Sequence, residues 1–165
     1  MKSYLAHASL FAPAIVFLLY ARLAPGDEGA RWNAAYVIGG GLALIHGIWL
    51  LAKHRDHAIA LGVDLYLLIG GVLALVVPEA IELWGAKLGA AAALGCVFAV
   101  TLVGFALSPP RSVHERKFAL LMVGTTAIAA VFALVAHDVP FVGNVLPVLG
   151  LVYAQGALRK RVMPA

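Results

Sequence analysis

Long apolar runs, broken by short clusters of charge, proline and glycine, dominate the chain. Six runs stand out, over residues 6–23, 33–52, 58–77, 88–107, 118–136 and 141–158. Each approaches the ~20 residues a helix needs to cross the hydrocarbon core of a bilayer. Barrel strands would alternate apolar and polar positions over about ten residues, whereas these runs are continuous and rich in Ala and Leu. The pattern predicts an all-α, polytopic transmembrane helical bundle of six spans, forming a single domain over residues 1–165. Spans and loops together consume the chain and leave no room for a soluble catalytic domain. The first run is long enough to span and further spans follow it, so no cleavable signal peptide is expected.

The connections read as short turns: Ala24 to Gly29, Lys53 to His57, and His137 to Pro140. Pro109 and Pro110 stop the fourth run, because proline lacks the donor N–H and clashes with the preceding helical turn. Pro78 opens a different feature, in which Glu79 and Glu82 precede Trp84. Proline suits the first position of a helix and acids suit its first turn. The segment from Pro78 to Trp84 therefore reads either as one or two interfacial helical turns or as a plain loop.

Composition sharpens the class. The chain is 63% hydrophobic and 12% charged, against about 45–50% and about 25% in soluble domains, and its mean hydropathy is +0.96. These values exclude a soluble globular domain, a disordered chain and a conventional nucleic-acid binder. The single cysteine, Cys96, excludes an internal disulfide and a paired-cysteine metal motif.

The net charge of +4 carries topological information instead. Lys2, Lys53, Arg55, Arg111, Arg116, Lys117, Arg159, Lys160 and Arg161 fall on one side of a six-span arrangement, and Arg22, Arg31 and Lys87 on the other. Nine against three is a positive-inside bias. It predicts that both termini are cytoplasmic. Trp32 and Trp84 then fall at the outer interface, and Tyr4, Trp49 and Tyr153 near the inner one. The basic clusters beside the spans also suit contact with anionic lipid headgroups.

Small residues predict how the helices pack, since association in lipid depends on close backbone approach. Gly39 to Gly41, Gly70-Gly71, the run from Gly89 to Gly95, and Gly143 with Gly150 are the candidates. The glycine-bearing faces of the second, third and fourth spans are expected to be buried against other helices. Pro147 and Asn144 predict a kink in the sixth span.

Asp64 is the residue most out of place. It lies about seven residues inside the third run, roughly 10 Å below the surface at ~1.5 Å per residue. A carboxylate at that depth is expensive and should face the bundle with a partner. His46 lies seven residues before Lys53 on the second run, so a short hairpin brings it to a similar depth. Asp64 and His46 are the candidate binding pair. They read as a proton relay or the floor of a substrate cavity, or alternatively as a structural hydrogen bond between two spans. Thr101, Thr125 and Thr126 are expected to bond their own helix backbones. The other histidines, His7, His54, His57, His114 and His137, fall at span ends or in loops. A bis-histidine haem needs two facing imidazoles at one depth, so no haem, metal or other cofactor is expected. No hydrolase, metalloprotease or phosphate-loop motif is present, and no enzymatic activity is expected.

The opening Phe11-Ala12-Pro13-Ala14-Ile15-Val16-Phe17-Leu18-Leu19-Tyr20, the basic loop after the second run, Gly70-Gly71, and an acidic stretch leading into Trp84 and Lys87 form a recurring set, followed by an apolar run ending in Pro109-Pro110. Over its first two-thirds the chain thereby resembles the bacterial intracellular septation protein A family of small inner-membrane proteins. That family has adjacent Trp and Lys where Gly85 and Ala86 intervene here, and the chain departs from it after Ser112. The resemblance implies a multi-pass protein of the bacterial inner membrane that organises the envelope or division septum through contacts with other membrane proteins. It supplies no catalytic residues.

Three readings follow. The first is a non-enzymatic organiser of envelope or septum. The second is a small proton-coupled transporter or channel using Asp64 and His46. The third is an accessory subunit of a larger membrane complex. Membrane lipids, other membrane proteins or a second copy are the expected partners, and nucleic acid is not.

Overall fold

Every regular element is helical, and no strand occurs among the described residues. The computed structural model describes residues 9–53, 57–107, 112–136, 139, 143 and 146–162, with residues 159, 160 and 162 given by backbone alone. His7, His54, His137, Asn144 and the Pro109-Pro110 stop lie outside the described residues. Six α-helices follow in order: α1 (Ala12–Leu23), α2 (Glu28–Ala52), α3 (Ala58–Val76), α4 (Gly89–Leu107), α5 (Val113–Val135) and α6 (Leu146–Val162). A π-helical turn, Glu82–Leu88, leads directly into α4. Four helical segments are long and apolar enough to cross a membrane: Glu28–Ala52, Ala58–Val76, Glu82–Leu107 and Val113–Val135. Two shorter apolar helices, Ala12–Leu23 and Leu146–Leu158, accompany them. This is the make-up of a transmembrane helical protein.

Helix boundaries differ from the hydrophobic runs where capping chemistry overrides hydropathy. α2 starts at Glu28, inside the expected turn, because the Asp27 carboxylate accepts a hydrogen bond from the Ala30 N–H at 3.2 Å. That bond satisfies one of the helix's free donors. α5 starts at Val113, because Ser112 and Glu115 form a reciprocal capping box. Pro147 is helical, and residues 144 and 145 just before its helix, where a kink with Asn144 was expected, lie outside the described residues. The segment after Pro78 is helical rather than a plain loop.

Contacts divide the chain into two compact units, Met1–Lys87 and Leu88–Ala165. In the first, α1 packs on α2 and α2 on α3. In the second, α4 packs on α5 and α5 on α6. Within the second unit, Thr126 is fully buried and bonds the carbonyls of Met122 and Val123 at 2.9 and 3.0 Å. Thr101 and Thr125 bond the carbonyls of Val97 and Leu121 in the same way. Cys96 is buried and free.

The α2–α3 pair is the most tightly built part of the first unit. Tyr36, Gly40, Ala43, Gly47 and Leu50 follow helical spacing along the face of α2 that meets α3. Tyr36, Ala43 and Leu50 are each no more than 2% exposed. A Cβ on Gly40 would lie 2.9 Å from the Leu67 carbonyl oxygen and 3.1 Å from the Gly71 Cα. The two backbones touch because neither residue has a side chain. The expected burial of glycine faces holds at this contact, whereas Gly41 on α2 and Gly95 on α4 have nothing within 4 Å of a notional Cβ.

Candidate intramembrane polar site

The register set by Gly40 and Gly71 brings His46 and Asp64 together. His46 Nδ1 and Asp64 Oδ2 are 2.7 Å apart, the length of a charge-assisted hydrogen bond. Both side chains are largely withdrawn from solvent, at 13% exposure for His46 and 6% for Asp64. Gly47 lies beside the carboxylate, and a Cβ there would make ordinary contact with Oδ2 at 3.9 Å. The Trp49 indole stacks on the imidazole, with ring centroids 5.9 Å apart and planes inclined by 22°. Trp49 is thus both 42% exposed, as an interfacial anchor would be, and a cover for the pair.

The second ring nitrogen stands apart. His46 Nε2 is buried and finds no hydrogen-bond partner among the described residues. Buried polar groups are normally satisfied, so this atom is the unfinished part of the site. Among the described residues, no group of three or more His, Cys, Asp or Glu side chains could hold a metal ion. An imidazole and a carboxylate in such contact can share a hydrogen bond and exchange a proton.

A second buried polar contact was not marked by the sequence pattern. The Tyr36 and Tyr66 hydroxyls are 2.5 Å apart, their rings meeting edge to face. Trp84, from the π-helical turn, stacks on Tyr66 at 5.4 Å and donates its Nε1–H to the Tyr66 carbonyl at 3.3 Å. Phe17 of α1 lies 4.7 Å from the Tyr36 ring and 5.7 Å from Trp32. Trp32 and Trp84, expected only as interface anchors, therefore join an aromatic cluster spanning α1, α2, α3 and the π-helical turn. The signal that could have exposed it is Gly70 and Gly85. A Cβ on Gly70 would overlap the Tyr36 ring, and one on Gly85 would come to 2.7 Å from the Tyr36 hydroxyl.

No protein-family model matches the chain, and no curated protein or solved structure matches it.

Proposed function

We propose that the chain is a six-span, non-enzymatic protein of a bacterial inner membrane, with both termini cytoplasmic, and that it is a small proton-coupled transporter or channel. Asp64 and His46 form its proton site. The nine-to-three charge division supports the topology, with α1 and α6 supplying the outermost spans beside the four longer helices.

The observation that carries the functional reading is the 2.7 Å contact between His46 Nδ1 and Asp64 Oδ2 inside an apolar helix pair. Ionisable groups at this depth are costly and mark ion or proton pathways. The competing reading makes the pair a fastener, but α2 and α3 are already fastened. Gly40 and Gly71 bring their backbones into contact, and Tyr36 bonds Tyr66. An interhelical hydrogen bond in a membrane is worth on average only about 0.6 kcal/mol, a poor return for burying two ionisable side chains. The role of organising envelope or septum rests on the family resemblance alone.

Proteoliposomes with a trapped pH-sensitive dye test the proposal. Under an imposed potential, the wild type should show protein-dependent proton flux, and Asp64→Asn should abolish it while keeping wild-type thermal stability. Flux unchanged in Asp64→Asn assigns the pair to structure and overturns the proposal.

A further inference from the structure

We infer that His46 Nε2 is the port of the pair, the atom that meets a hydroxylic molecule and through which a proton is loaded. This rests on the proton-site reading and adds to it an atom, a direction and a ligand class.

The 2.7 Å contact holds one proton between Nδ1 and Oδ2. With that proton alone the pair is singly negative, and Nε2 is a bare acceptor. A second proton makes the pair neutral. It can be written as imidazolium beside carboxylate, or as imidazole beside carboxylic acid. In both forms, with the contact kept and no proton on Oδ1, Nε2 carries hydrogen and is a donor. Loading therefore reverses the hydrogen-bonding sense of one atom, and among the described residues that atom has no hydrogen-bond partner, as Arg31 Nε and Asn33 Oδ1 also have none.

A ligand that stays bound through the reversal must both donate and accept. An ammonium group only donates and a carbonyl only accepts, whereas a hydroxyl does both. The ligand class is thus hydroxylic: water, or the hydroxyl of a small solute. Trp49 covers a face of the imidazole ring, so approach is along the edge that bears Nε2. In the loading step an O–H bond of a hydronium breaks, the Nε2–H bond forms and water remains. The proton already on Nδ1 shifts to Oδ2, and no electron changes hands.

Several other described titratable groups of the first unit are placed away from this atom. Asp64 is the one that meets the ring, from α3. Tyr66 of α3 is committed to Tyr36. Tyr20 and Arg22 end α1 beside the start of α2, remote from His46. Glu82 and Lys87 pair at 3.6 Å beyond the far end of α3. Lys53 lies at the exposed C-cap of α2, about two turns beyond His46.

The test is solid-state NMR of the full-length protein in lipid bilayers, with ring-¹⁵N histidine, taking His46 as the signal lost in His46→Asn. The expected result has two parts. Nε2 shows magnetisation transfer from hydroxylic protons, and its shift moves between the bare-nitrogen and N–H positions across a pH titration. Transfer from water alone identifies water as the occupant; displacement of that transfer by a short alcohol identifies a solute hydroxyl. Either supports the port. Absence of transfer from both, or a ring fixed in one form throughout, overturns it. His46→Asn adds a second arm, since the Asn amide overlaps Nδ1 and keeps a bond to Asp64 but has nothing at Nε2. Proton flux should be lost with stability retained, and retained flux overturns the port. Flux in the wild type with a dry Nε2 defeats this inference and leaves the proposed function standing. A wet, titrating Nε2 without flux defeats the proposed function and leaves the port.

Discussion

Gly40 and Gly71 meet backbone to backbone. A Cβ on Gly71 would lie 2.9 Å from the Tyr36 carbonyl oxygen and 3.2 Å from the Gly40 Cα. This contact sets the register of α2 against α3 and so positions both polar pairs, His46 with Asp64 and Tyr36 with Tyr66.

Substitution at the contact should separate the helices. Gly71→Val is expected to cost about 1–3 kcal/mol through overpacking, read as a lower unfolding midpoint in detergent. Gly41→Ala is the control. It has open space at its Cβ and should be neutral or gain up to about 1 kcal/mol from helix propensity. Equal losses in both variants would contradict the packing account.

The tyrosine pair separates hydrogen bonding from volume. Tyr66→Phe removes a hydroxyl and keeps the ring, so a loss near the ~0.6 kcal/mol average for interhelical bonds is expected. Tyr36→Ala empties the centre of the aromatic cluster and should cost about 3–5 kcal/mol. Thermal unfolding of the two variants in one detergent compares them directly.

The His46–Asp64 contact was legible in the sequence because geometry left little freedom. A short connection between α2 and α3 places residues equally far from it side by side, and Asp64 had to find a partner. The tyrosine contact was not legible, because Tyr36 and Tyr66 sit within apolar runs and reveal themselves only once the register is known. Helix starts at Glu28 and Val113 were hidden by charge, since Glu28, Arg31, Glu115, Arg116 and Lys117 look like loop residues by hydropathy. Asp27 and Ser112, the caps, were the better guides. Glycine content alone did not identify packed faces. Gly40 and Gly95 look alike in sequence, yet only Gly40 opposes another backbone.

The capping box makes a local prediction. Ser112→Ala should cost about 1 kcal/mol and fray the first turn of α5, measured as faster amide exchange at Glu115 and Arg116. The exchange rates around Asp64 should not change.

Topology is tested by reporter fusions. A fusion after Ala165 and one after Lys53 should both be active as cytoplasmic reporters, and one within Asp27–Gly29 as a periplasmic reporter. A periplasmic signal after Ala165 would contradict the six-span arrangement.

The proposed function stands on proton exchange between Asp64 and His46 within the membrane. Infrared difference spectroscopy of the reconstituted protein across a pH step measures this directly. The expected result is a carboxylic C=O stretching band that changes with the step, vanishes in Asp64→Asn and shifts in His46→Asn. A difference spectrum with no band dependent on Asp64 would contradict it.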